Sequence, residues 1–139
     1  MNSSSLTNIL LVEDDDVDVM NVKRAFDRNH ITNPLFVASN GLEALEKLRS
    51  GAIPQSRRIV LLDLNMPRMN GIEFLRELRN DPALAPTPVV VLTTSNNDRD
   101  KMDAFNLNVA GYLVKPVTFP EFSELMVTLN KYWTLVEMP

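Results

Sequence analysis

Two rhythms of apolar and polar residues run along this chain. Uninterrupted aliphatic runs at residues 9–12, 59–62 and 89–92 read as strands buried on both faces. Between them, apolar residues return every three or four positions, the spacing of a helix with one inward face. Val19, Met20, Val22 and Phe26 mark a first helix, with Asp16 as its N-cap. Leu42, Leu45 and Leu48 line a second, opened by Gly41 and closed at Ser50-Gly51. Ile72, Leu75 and Leu78 line a third that ends before Asp81-Pro82, Met102 with Phe105 marks a short fourth, and Pro120 starts a fifth. Residues 34–38 and 112–114 supply two further short strands, and residues 52–58 form a polar connection. Strand and helix alternate five times, without internal repeat or low-complexity segment.

Such alternation implies an α/β fold: a five-stranded parallel sheet with five helices covering both faces. For a chain of this size the natural strand order is the flavodoxin-like 2-1-3-4-5, which makes the first and third strands neighbours. Ligands of such sheets bind beyond the carboxyl ends of the strands, where the strand order switches. Acids stand at both of those ends. Glu13, Asp14, Asp15 and Asp16 follow the first strand, and Asp63 follows the third, ahead of a loop marked by Pro67 and Gly71. Taken alone, the first cluster reads as helix capping and dipole compensation; together with Asp63 it reads as one shared cation site.

Composition narrows the class further. With 139 residues the chain is expected to form one domain, and 45% hydrophobic with 23% charged residues is ordinary for a globular protein. A net charge of −4 argues against broad electrostatic binding to nucleic acid. No apolar stretch approaches the ~20 residues of a membrane span, and the polar start lacks the features of a signal peptide. Without cysteine, disulfides and thiolate metal sites are excluded, and a cytoplasmic location is the simplest expectation.

Four motifs, each after a strand, now stand in order: Leu11-Val12-Glu13-Asp14; Leu62-Asp63-Leu64-Asn65-Met66-Pro67 with Gly71; Val91-Leu92-Thr93-Thr94-Ser95; and Gly111-Tyr112-Leu113-Val114-Lys115-Pro116. In these the chain resembles a response-regulator receiver domain, the phosphoacceptor half of two-component signalling, over residues 9–132. The ending from Tyr132 to Pro139, with Leu92-Thr93-Thr94-Ser95, is similar to single-domain regulators that partner bacterial and cyanobacterial phytochromes. The resemblance implies that Asp63 accepts the phosphoryl group from a sensor histidine kinase. It implies Mg²⁺ held by Asp14, Asp63, the Asn65 backbone carbonyl and, through a water, Glu13. Lys115 would pair with Asp63 at rest and with phosphoryl oxygens afterwards, while Thr93 would donate its hydroxyl to the phosphoryl group. Thr93 and Tyr112 would form the switch, and the Lys115–Pro116 bond would be cis, a rare and usually purposeful choice. A dianionic phosphoryl group attracting a donor supplies the physical cause of such a switch.

The chain is expected to be no enzyme in its own right, assisting only its own phosphorylation and dephosphorylation. Residues 1–8 are expected to be a flexible terminus, and residues 133–139 a tail offered to a dimer interface. In the last helix Phe122, Leu125, Met126, Leu129, Tyr132, Trp133 and Val136 form one apolar stripe, with Val127 and Leu135 outside it. Apolar residues beyond the needs of the core predict a homodimer through the fourth helix, fifth strand and fifth helix. Output would pass to an unknown downstream protein, with no nucleic-acid or membrane contact. His30 is expected in a surface loop without catalytic role, and the methionines as core filler. Three other readings compete. A haloacid-dehalogenase-like phosphohydrolase needs an acid where Asn65 stands, and a flavodoxin needs a phosphate loop where acids stand. A receiver acting as a phosphorylation-independent binding module is the remaining alternative.

Overall fold

The computed structural model describes residues 6–139. Its elements, in chain order, are β1 (Asn8–Val12), α1 (Asp16–Arg28), β2 (Leu35–Ala38), α2 (Gly41–Ser50), β3 (Arg58–Leu62), α3 (Gly71–Asn80), β4 (Val89–Thr93), α4 (Asp98–Asn106), β5 (Gly111–Val114) and α5 (Phe119–Leu135). The strands form one parallel sheet in the order β2-β1-β3-β4-β5, as the alternating pattern predicts. No described helix is long and apolar enough to cross a membrane.

Alternation along each strand divides the core in two. Leu10, Val12, Val60, Leu62 and Val91 face α2, α3 and α4, against Leu45, Leu48, Phe74, Leu78 and Ala104. Ile9, Leu11, Ile59, Leu61 and Leu92 face α1 and α5, against Val22, Phe26, Phe122, Met126 and Trp133. β1, β3 and β4 are buried throughout, which is why they are written as uninterrupted aliphatic runs.

Helix starts are set by short polar caps. Asn40, Asn70, Asn97 and Thr118 accept backbone N–H groups at the starts of α2, α3, α4 and α5. Asn70 and Glu73 form a reciprocal capping box. The cap of α1 is Asp15, not Asp16: its carboxylate accepts from Val17 N at 2.8 Å, and Asp16 is already helical. Gly71 begins α3 pressed against the loop that leaves β3. A Cβ there would lie 2.7 Å from the Asp63 carbonyl oxygen and from the Leu64 Cα, so only glycine permits this approach.

Several expectations need correction. Residues 1–5 of the expected flexible terminus lie outside the described residues. Thr7 and Asn8 are buried, however, with the Thr7 hydroxyl donating to Trp133 O and Asn8 opening β1. The boundary placed after residue 132 falls inside α5. Trp133 is fully buried and tilts against Phe26 with ring centroids 6.1 Å apart, so it belongs to the core and not to a tail. Met20, Leu42, Met102 and Phe105, expected on inward faces, are 67%, 48%, 65% and 53% exposed. In α4 the small Ala104 faces inward, and at ~100° per residue Met102 and Phe105 are turned away from it. Of the methionines, Met66 and Met126 fill the core, while Met20 and Met102 face outward.

Candidate functional site

The pairing of β1 with β3 sets Val12 beside Leu62, so the residues that follow leave the sheet side by side. The Asp63 N–H donates to Val12 O, and the Glu13 N–H to Ala38 O. Carboxylate oxygens of Glu13, Asp14 and Asp63 therefore converge within 4.8 Å of one another, although the last is far away in sequence. Glu13 and Asp63 are buried and Asp14 is exposed. Like charges this close repel, and the site must supply compensation.

Asp63 is compensated by hydrogen-bond donors. Its Oδ1 accepts from the hydroxyl of Thr93 at 2.8 Å and from Asn65 N at 3.3 Å. Thr93 ends β4 and is fully buried, so this hydroxyl has no bulk water to turn to. Asn65 itself is exposed on the loop after β3.

Lys115 follows β5 and reaches the acids from the other side. Its Nζ lies 2.5 Å from Glu13 Oε1, 2.8 Å from Asp18 Oδ2 and 4.0 Å from Asp63 Oδ2. The expected Lys115–Asp63 pair is thus the longest of three contacts, and Lys115 is held mainly by Glu13 and Asp18. Asp18 lies one helical turn into α1, and nothing in its spacing beyond the cap signals that it meets the lysine that follows β5. Burial pushes the Glu13 carboxyl up to about 7, against the opposing hydrogen bond and charge of Lys115. Burial by itself would lower the Lys115 ammonium, but hydrogen bonds to Asp18 and Glu13 outweigh it and raise the group.

The expected cis bond is absent: the described peptide bonds are all trans, that between Lys115 and Pro116 included. An X-Pro bond prefers trans by only ~0.5–1 kcal/mol, so local packing decides. Here the Lys115 N–H donates to Thr93 O at 2.8 Å, continuing the β4–β5 ladder, and the side chain turns to Glu13 and Asp18.

Tyr112 sits half-buried on β5, and its hydroxyl donates to Ser95 O at 2.8 Å. The Ser95 hydroxyl in turn donates to Asp100 Oδ2 at 2.6 Å, and the Ser95 N–H donates to the Thr93 hydroxyl oxygen at 3.3 Å. One chain of hydrogen bonds therefore links Asp63, Thr93, Ser95 and Tyr112. His30 is exposed beyond α1, away from these groups.

The donor set is all oxygen, partly buried and open to solvent at Asp14. That chemistry fits a hard divalent cation that keeps several waters. Glu13, Asp14 and Asp63 are the side chains placed to hold it.

Comparison with known proteins follows the same lines. Residues 9–127 match the family described as the response regulator receiver domain. The probable methanogenesis regulatory protein FilR2 of Methanothrix harundinacea is 38% identical over 127 residues, covering 90% of this chain and 82% of the relative. The response regulator Rcp1 of Synechocystis is 35% identical over 128 residues, covering 90% and 87%. A solved Mn²⁺-bound form of a response regulator Rcp1 superposes with a TM-score of 0.83 at 34% identity, covering 96% of this chain and 99% of that one. The phosphorylated cyanobacterial phytochrome response regulator RcpA superposes with a TM-score of 0.86 at 31% identity, covering 96% and 99%.

Proposed function

The chain belongs to the response regulator receiver family, and on that footing we propose that it accepts a phosphoryl group on Asp63 from a sensor histidine kinase. The observation that carries this reading is the surroundings of Asp63. One oxygen accepts the Thr93 hydroxyl, the other lies 4.0 Å from Lys115, and two further carboxylates stand within 4.8 Å.

A carboxylate attacks an anionic phosphoryl group only where charge is neutralised and the groups are positioned in advance. Asp63, on a buried strand end, supplies the nucleophilic oxygen in fixed position. Lys115 would leave Glu13 and Asp18 to meet phosphoryl oxygens, and Thr93 would turn its hydroxyl from Asp63 to one of them. Glu13, Asp14 and Asp63, with the Asn65 carbonyl, would hold Mg²⁺, which when bound supplies charge neutralisation. Release of the Thr93 hydroxyl from Asp63 would disturb the contact to Ser95 N, and through Ser95 the anchor of Tyr112. That is the route by which the phosphorylated state would reach the surface of α4, β5 and α5.

We assign no reaction on an outside substrate; the chain would assist only its own phosphorylation and dephosphorylation. A phytochrome-type kinase is the proposed donor, supported by the likeness to RcpA. Its place would be the cytoplasm, where a histidine kinase domain meets ATP. Output would pass through protein contacts, without nucleic acid or membrane. A homodimer through α4, β5 and α5 is supported by exposed Phe105, Val114 and Leu135 and by an apolar groove of about 190 Å³ between β5 and α5.

The test is intact-protein mass after treatment with acetyl phosphate, with and without Mg²⁺, on the parent and on Asp63→Ala. A Mg²⁺-dependent gain of one phosphoryl group by the parent alone is expected. No gain by a folded parent, with acetyl phosphate or with candidate kinases, would leave the phosphorylation-independent binding module instead.

A further inference from the structure

Lys115 stands short of Asp63 at rest. Its Nζ is 4.0 Å from Asp63 Oδ2, beyond the ~2.7–2.9 Å of a charge-assisted hydrogen bond. Two other carboxylates hold it at bonding distance, those of Glu13 and Asp18. The lysine side chain is 8% exposed. An ammonium so far withdrawn from water depends on these acceptors and does not leave them freely.

The two acceptors stand differently toward the nucleophile. Glu13 follows β1, and its carboxylate belongs to the cluster with Asp14 and Asp63. A lysine drawn toward Asp63 therefore stays near Glu13. Asp18 lies on α1, outside that cluster. Among the described residues its carboxylate accepts one hydrogen bond, and Lys115 is the donor. A cavity of about 130 Å³ between α1 and the β5–α5 connection is lined by Asp18, Asn21, Thr94, Lys115 and Val117, but not by Glu13 or Asp63. Asp18 thus draws the ammonium to a side that the nucleophile does not share.

We propose that Asp18 is a positioning residue that restrains Lys115 at rest and so slows phosphorylation of Asp63, an inference that rests on the phosphoacceptor reading above. To meet the arriving phosphoryl oxygens Lys115 must give up Asp18. That contact is made before transfer and lost during it, so it adds to the barrier instead of lowering it. An acid that helped Lys115 only to stay folded in place would not have this effect on rate.

The test is the initial rate of phosphoryl gain from acetyl phosphate in saturating Mg²⁺, read by intact-protein mass, together with Tm in Mg²⁺-free buffer. In the reaction an Asp63 oxygen bonds to phosphorus as the bond from phosphorus to the acetyl oxygen breaks, and acetate leaves with the electron pair. Asp18→Asn is expected to react about fivefold or more faster than the parent, a fraction of one charge-assisted hydrogen bond. Asp16→Asn removes the same charge from the same turn of α1, at an exposed residue outside the cluster, and should react at the parent's rate. A lower Tm in Asp18→Asn with an unchanged or slower rate would show a merely stabilising pair and overturn the restraint. Equal acceleration by Asp16→Asn would assign the effect to net charge and overturn it too. In both cases the parent still gains its phosphoryl group; a folded parent that gains none from any donor removes the phosphoacceptor reading, and the restraint with it.

Discussion

Replacing Thr93 by Val removes one hydroxyl and keeps the shape of a fully buried side chain. Two contacts are lost: the 2.8 Å bond to Asp63 Oδ1 and the 3.3 Å contact accepted from Ser95 N. A hydrogen bond to a charged group contributes ~1.5–3 kcal/mol, and the weaker backbone contact adds little. Asp63 would keep only the Asn65 N–H at 3.3 Å and the more distant Lys115. An unfolding entropy of ~2.1 cal/mol/K per residue over 139 residues turns this loss into a fall in Tm of about 5–10 °C. Urea unfolding and calorimetry in Mg²⁺-free buffer measure it directly. Thr93→Ser keeps the donor and loses one methyl group, about 1 kcal/mol. In the Asp63→Ala background the hydroxyl has no carboxylate to reach, so Thr93→Val should there cost almost nothing. Equal losses in both backgrounds, or equal losses for Val and Ser, would refute the Thr93–Asp63 bond as the cause.

Other perturbations separate the remaining parts of the argument. Gly71→Ala should destabilise by about 1–3 kcal/mol in urea unfolding, because its Cβ meets backbone at 2.7 Å and one wall of the contact is the Asp63 carbonyl; a change near zero would mean the loop gives way freely. Lys115→Met leaves buried Glu13 facing Asp63 without a cation, a loss of about 3–5 kcal/mol by the rule for broken buried pairs, and saturating Mg²⁺ should recover part of it in thermal unfolding. If Mg²⁺ has no greater effect on Lys115→Met than on the parent, the acids do not share one cation site. Trp133→Ala should cost about 3–5 kcal/mol, since Trp133 is fully buried, whereas removing exposed Leu135 should leave unfolding nearly unchanged; the reverse order would restore the tail. Sedimentation of the parent at micromolar concentrations should show a dimer that Phe105→Glu weakens, and a monomer both before and after phosphorylation would remove the α4-β5-α5 interface.

Much of the fold is written locally. An aliphatic run buried on both faces must be a central strand of a covered sheet, and a three-to-four spacing must be a helix with one inward face. Those patterns survive without knowledge of the partner, so β1, β3, β4 and the capped helices were legible. Asp14 and Asp63 were legible as a pair because both follow such runs and the strand order makes their strands neighbours. Exposure was read less well: Met102 and Phe105 have the right spacing for an inward face, but the small Ala104 lets α4 present them to solvent.

By itself, then, the sequence determined the alternating elements, the parallel sheet, and the acids gathered at one end of it. It did not determine which charged groups meet. Lys115 lies with Asp18 and Glu13, residues 97 and 102 positions away, and the Lys115–Pro116 bond is trans. Trp133 closes the core against Phe26, while Arg79 donates to the carbonyls of Ala85 and Thr87 and the Nη1 of Arg58 is buried without a hydrogen-bond partner. The physical reason is one of range. Backbone preference and apolar burial act within a few residues and repeat with a period that can be read, whereas an ion pair or an orphaned guanidinium depends on strand register and loop path, which exist only once the sheet is assembled.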